Sequence, residues 1–266
     1  MIAAATLAVL GLASAAPAQP DQAGIASMLS SGSAASRWKA VAYASRIPPA
    51  AVGSTLRTAL IRALQSGTDA NRAAVAGDRA GGGASVEALD EWNRAEYLAA
   101  VMRVLIPLHD PTAVPALVSA MSIGSVPGLE REVVSHGDAG VLAVIETIRH
   151  PDVSGSELIG GLVALRFAVE DPSLPRVSGA VRAQIRDVAA DLLRSGAPND
   201  ELGTVLRRTV DLAVALGDSS LRQTVVAIAT TPGAVVERGV TAEQAIARVQ
   251  REARDRLSGV PALPRP

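Results

Sequence analysis

Three histidines, His109, His136 and His150, are the residues best suited to metal or proton chemistry, and each has an aspartate within two positions: Asp110, Asp138 and Asp152. Imidazole beside carboxylate is a ligand set that divalent metals accept and a pairing that general acid–base catalysis uses. Each histidine also falls where an amphipathic helix ends, and there a partly cationic ring suits the negative end of the helix dipole. His109 and His136 close the first helices of successive pairs in this reading, so they share a rim. His150 closes a second helix, on the opposite rim, about 18 Å away for a helix of roughly twelve residues. At most two histidines converge, and the candidate metal or acid–base set is His109, His136, Asp110 and Asp138. The plainer reading makes all of them helix-end residues.

Other chemistry finds no support in the spacing. No G-x-S-x-G elbow occurs, and Ser125 sits in the turn Gly124-Ser125-Val126-Pro127-Gly128. No phosphate-cradling glycine loop opens a helix after a strand, so no cofactor is expected. Cysteine is absent, which removes thiolate metal sites, disulfides and cysteine nucleophiles. The acid pairs Asp90-Glu91 and Glu130 with Glu132 fall on predicted helices near Arg94 and Arg131, where solvated charge is the expectation. Trp92 and Tyr97 stand five residues apart, as do Trp38 and Tyr43. Five helical residues turn about 140°, so one member of each pair belongs to the core and the other to an edge. Trp92 beside Arg94, with Tyr97, forms the candidate contact patch, because aromatics and arginine often anchor interfaces.

The elements that must carry these residues are helices. Hydrophobic residues make up 48% of the 266, charged residues 19% and aromatics only 2%, a composition that favours helices rich in Ala, Leu and Val over a sheet. Net charge is −1, Lys39 is the only lysine, and Arg and acids are interleaved along the chain with no block of like charge long enough for a nucleic-acid arm. Residues 1–18 carry no charge and end in small residues, Ala13-Ser14-Ala15 and Ala16-Pro17-Ala18, at signal-peptidase spacing. Cleavage after Ala18 is expected, although no Lys or Arg precedes the apolar run. A periplasmic or secreted chain without stable membrane insertion follows.

Beyond Pro20 one pattern recurs: a cap, an amphipathic stripe, then a Gly or Pro stop. Val177, Val181, Ile185, Val188 and Leu192 line one face, Arg182, Arg186, Asp187, Asp191 and Arg194 the other, and Gly196 ends the run. Val52, Leu56, Leu60 and Leu64 precede Gly67; Asp138 caps Val141, Ile145 and Ile148; Ser156 opens Leu158, Leu162 and Leu165. Thr241-Ala242-Glu243-Gln244 has the capping-box pattern before a final helix with a broad polar face. Short links make neighbouring helices antiparallel. First helices of pairs begin near Arg94, Gly128, Ser156 and Asp200.

The stretch Leu108-His109-Asp110-Pro111-Thr112-Ala113-Val114-Pro115-Ala116-Leu117-Val118 resembles the inter-helix turn of HEAT and HEAT-like (armadillo-type) repeats, with weaker echoes at His150-Pro151-Asp152 and Glu170-Asp171-Pro172. With Thr112 as N-cap, Pro115 takes a first-turn position whose N–H has no intrahelical partner. The resemblance implies an all-α, right-handed α-solenoid of antiparallel helix pairs, in which each pair completes the core of the next. The expected divisions are a cleavable signal segment (1–18), a short N-terminal segment (19–32), a first helix pair (33–66), a Gly-rich loop or linker (67–86), the repeat array (87–240) and a capping helix with tail (241–266). The functional expectation is a scaffold for a protein or peptide partner, without catalysis or nucleic-acid binding. The alternative is a metal-binding or hydrolytic protein using the His/Asp rim. Oligomeric state and partner identity stay open.

Overall fold

The computed structural model describes residues 20–81, 87–124, 126–197, 200 and 202–259. The signal segment at 1–18, Ser125 and the tail from 260 lie outside them. Thirteen α-helices and no strand occur among the described residues: α1 (Gln22–Leu29), α2 (Ala34–Ala44), α3 (Ser54–Gly81), α4 (Glu87–Leu105), α5 (Val114–Ser119), α6 (Leu129–Ser135), α7 (Asp138–Arg149), α8 (Gly155–Glu170), α9 (Gly179–Ser195), α10 (Thr204–Leu216), α11 (Ser219–Thr230), α12 (Pro232–Val236) and α13 (Glu243–Ser258). None of them is long and apolar enough to cross a membrane.

Packing follows the apolar stripes. Helices α6, α8, α10 and α13 each touch the next and make one row; α3, α5, α7, α9 and α11 make a second row against it. Val181, Ile185 and Val188 of α9 are buried between the rows, whereas Arg186, Asp187, Asp191 and Arg194 face water, as a 3.6-residue period requires. No helix here could hide its apolar face alone. The layer against it supplies the missing wall.

The expected loop at 67–86 is instead mostly helix. Helix α3 continues through Gly67 to Gly81, and α4 opens at Glu87. Gly67 reads as a stop, but it is a contact: a Cβ there would stand 2.4 Å from Leu98 Cδ2, so its bare backbone lets α3 and α4 approach. Further along α3, Arg72 forms an ion pair with the buried Glu157 of α8, which ties the long helix to the array.

Several caps also differ from expectation. Asp110, not Thr112, caps the turn before α5, and Ser154, two residues before Ser156, forms a full capping box with Glu157. At α13 the N-cap is Ala242 and no side chain caps it, so the Thr241–Glu243 pattern is unused. Helix α7 starts at Asp138, but that carboxylate accepts the N–H of Ser178, the cap of α9, at 2.9 Å.

Candidate functional site

His109, His136 and His150 all stand at helix ends, and the first two meet on one carboxylate. His109 Nδ1 lies 2.7 Å from Glu132 Oε2, and His136 Nε2 lies 3.1 Å from Glu132 Oε1. Glu132 was expected in water with Glu130, but both are buried. A buried carboxylate must be paired, and two imidazole N–H donors supply one partner for each oxygen. His136 reaches it one turn along from Glu132. His109 arrives from the end of the α4 segment, with its backbone in the left-handed region at φ 49° and ψ 43°, a conformation few residues other than glycine adopt.

The aspartates of the candidate set are used elsewhere. Asp110 pairs with Arg57 at 3.2 Å and Asp138 holds the start of α9. His150 stands apart, its Nδ1 accepting the Asp152 N–H at 3.2 Å. Among the described residues no group of three or more His, Asp or Glu side chains could hold a metal ion. What the cluster can do is proton chemistry. With Nδ1–H given to Glu132, His109 turns an accepting Nε2 outward on a side chain that is 71% exposed. Among the described residues Glu132 is the one hydrogen-bond partner of either ring, and no nucleophile joins them.

One turn motif recurs along the chain. The carboxylates of Asp110, Asp171 and Asp218 accept both the backbone N–H and the hydroxyl of the residue two positions on: Thr112 at 2.9 and 2.7 Å, Ser173 at 2.9 and 2.5 Å, Ser220 at 2.8 and 2.5 Å. Burial works to raise the pKa of Asp110, but the two Thr112 bonds and the Arg57 guanidinium outweigh it and hold the carboxyl below the ordinary range. The Ser173 bonds lower Asp171, and the Ser220 and Leu221 bonds lower Asp218. A depressed folded-state pKa adds stability above the unfolded value of about 3.9 and loses it as pH falls through the folded value. The expected result is a melting temperature that drops below about pH 4, with a shallower drop in Asp110→Asn, read by circular dichroism against pH.

Of the candidate contact patch, the side chain of Trp92 lies outside the described residues. Arg94 is half-buried, with Nη1 lacking a partner, and Tyr97 is core. Tyr97 packs edge-on against Trp38, ring centroids 5.7 Å apart, and Trp38 is the exposed aromatic, at 40%. Trp38 stands on the rim of a groove of about 280 Å³ between α2 and α4, floored by Val41, Val52 and Val104, with Arg103 at its edge. A groove of that size has room for one or two apolar side chains. Arg103 makes no ion pair among the described residues. A signal for this end was present in the sequence: between Asp21 and Asp69 there is no acidic residue, but Arg37, Lys39, Arg46, Arg57 and Arg62.

The described residues thus make an all-helical protein of packed helices, with an apolar groove edged by Trp38 and Arg103 at the N-terminal end. No protein family, curated protein or solved structure matches the chain.

Proposed function

We propose that the chain is an exported scaffold, a right-handed HEAT-like solenoid working in the periplasm or outside the cell, that binds a protein or peptide and performs no catalysis. The observation that carries this reading is the exposed Trp38 over an apolar groove, with Arg103, which has no ion pair among the described residues, at its rim. Tryptophan and arginine dominate interface energetics, and Trp38, though packed edge-on against Tyr97, keeps 40% of its surface exposed beside the groove. The partner that fits is an acidic segment with one large apolar side chain: the side chain fills the groove, and carboxylates meet Arg103 and the acid-free stretch around α2. The two-row packing of α5 to α13 supports the solenoid part, and the small-residue pattern at 13–18 supports export.

The test is capture from an envelope extract with the mature chain and with Trp38→Ala. A bound acidic partner whose affinity falls at least about tenfold in Trp38→Ala supports the reading, since an anchor aromatic contributes about 2 kcal/mol or more. Equal capture by both forms removes it.

A second reading, hydrolytic chemistry at the histidine cluster, is favoured by one observation: His109 is oriented by a buried carboxylate as a general base is. A nitrophenyl ester should then hydrolyse at least about a hundredfold faster with the native chain than with His109→Ala, the usual contribution of a positioned base. Equal rates dismiss it.

A further inference from the structure

With the Trp38 groove as the partner site, a reading on which this one rests, its walls also restrict the conformation of what enters it. The walls are α2 and α4, which run in the same direction: Trp38 packs on Tyr97, and further along both chains the turn Pro49–Ala51 meets the turn Ile106–Leu108. From Trp38 to Ser45 the groove follows α2 for two turns, about 10 Å.

Neither wall offers hydrogen bonds to a guest backbone. The N–H groups of Val41, Ala44, Ala100 and Val104 lie inside helices. In the turns, Ile47 donates to Ala44 and Val52 to Pro49, whereas Pro49 and Pro107 have no N–H. The lining holds one hydroxyl, that of Ser45, which donates to the Ala42 carbonyl at 3.0 Å, and no side-chain amide. An extended segment carries an unpaired N–H and C=O at each residue, and burial here would strand them. A helix brings its own backbone bonds.

Positive charge stands on both sides of the groove. Arg103 is on the α4 wall. Lys39 and Arg46 each follow a groove residue, Trp38 and Ser45, by one position and so share the outer shoulder of α2. All three are exposed and have no ion pair among the described residues. Two acids stand nearest along the chain. Glu96 is seven residues before Arg103 on α4, about 10 Å back along the axis, and Asp110 is committed to Arg57. The three cations therefore outnumber the free acid.

We propose that the groove binds an amphipathic α-helix of about three turns, with apolar side chains at i and i+4 and carboxylates on both flanks of that stripe. Residues four apart lie on one helix face, about 6 Å from each other, a spacing that two turns of groove accommodate. Arg103 then faces one row of carboxylates, and Lys39 and Arg46 face the other.

The experiment is fluorescence anisotropy of the mature chain with labelled alanine-based peptides of about fourteen residues. One set has an apolar pair from Leu, Ile, Met and Phe at i and i+4, flanked by glutamates. A second set adds a proline between the pair, which breaks the helix, and a third replaces glutamate by lysine. Members of the first set bind and gain helical circular dichroism; the proline set binds at least about tenfold more weakly, and the lysine set not at all. Trp38→Ala weakens the acidic helices at least about tenfold. Arg103→Glu weakens them on a similar scale, since like charges then meet, and accepts the lysine set instead, an inversion that a folding defect cannot produce. Equal binding of the proline set overturns the helix and leaves the scaffold reading standing. Silence of every set overturns it too; capture from an envelope extract that still depends on Trp38 then keeps the scaffold reading, and capture indifferent to Trp38 removes both. A Trp38-dependent dimer in light scattering, or Trp38-dependent binding to phosphatidylglycerol vesicles, gives the groove to a second copy or to a lipid surface and likewise overturns the proposal.

Discussion

A Gly140→Ala chain is expected to lose roughly 3 kcal/mol of stability, the upper end of overpacking costs, and to melt about 6–12 °C lower. Gly140 lies in the first turn of α7, and a Cβ on it would stand 1.9 Å from the carbonyl oxygen of Val133 in α6. Ordinary overpacking can be relieved by turning a neighbouring side chain. Here the obstacle is backbone, and Val133 is itself buried at the centre of the α6–α7 hairpin. The hairpin must therefore open, and opening it pulls Glu132 and His136 apart from His109, since they stand on the same short helix. Thermal unfolding followed by circular dichroism measures the loss. The side-chain counterpart, Gly67→Ala, meets only the tip of Leu98 and serves as the mild comparison. A Gly140→Ala midpoint within about 2 °C of native would show that the two helices have slack that the structure does not display.

Asp211→Asn is expected to cost about 2–4 kcal/mol, because removing one partner of a buried ion pair strands the others. The Asp211 carboxylate, 3% exposed on α10, has Arg256 at 2.9 Å, Arg208 at 3.4 Å and Arg166 at 3.7 Å. The substitution keeps shape and most hydrogen-bonding capacity but leaves these three around a neutral amide. The arginines are a third or so exposed, so solvent takes up part of the charge and the lower half of that range is the better expectation. Two features separate this from a packing defect. Stability of Asp211→Asn should rise steeply with salt, since screening acts on repulsion between like charges. Adding Arg207→Gln, which removes a half-buried guanidinium next to Arg208 on α10, should recover part of the loss, a non-additivity that urea unfolding of the single and double variants would measure. An additive, salt-independent loss would mean that Asp211 acts through shape alone.

Much of the helix pattern could be read before any coordinates. The stripe Val181, Ile185, Val188 is buried as its period requires, and the pair openings near Gly128, Ser156 and Asp200 coincide with α6, α8 and α10 within a few residues, whereas Arg94 falls inside α4, which opens at Glu87. Glycine misled at 67, since a missing Cβ serves a helix stop and a close helix contact equally well, and local sequence does not distinguish them. Caps slipped by two residues at Ser154 and Asp110 because several Asp and Ser candidates stand close together near each boundary.

The candidate site was less legible. That His109 and His136 share a rim follows from counting helices, but their common partner is Glu132, not Asp110 or Asp138. An acid beside an arginine on a short helix looks the same whether water or a neighbouring helix covers it. Whether Trp38 or Tyr43 reaches solvent was likewise undecided by spacing, and the structure leaves Trp38 exposed with Tyr97 against it. Period, composition and stop signals are local, and so the chain alone dictates all-α structure and the inward faces of its helices. Which acid is buried, which arginine is left without a counterion and which aromatic reaches solvent depend on residues tens of positions away, brought near only when the rows pack.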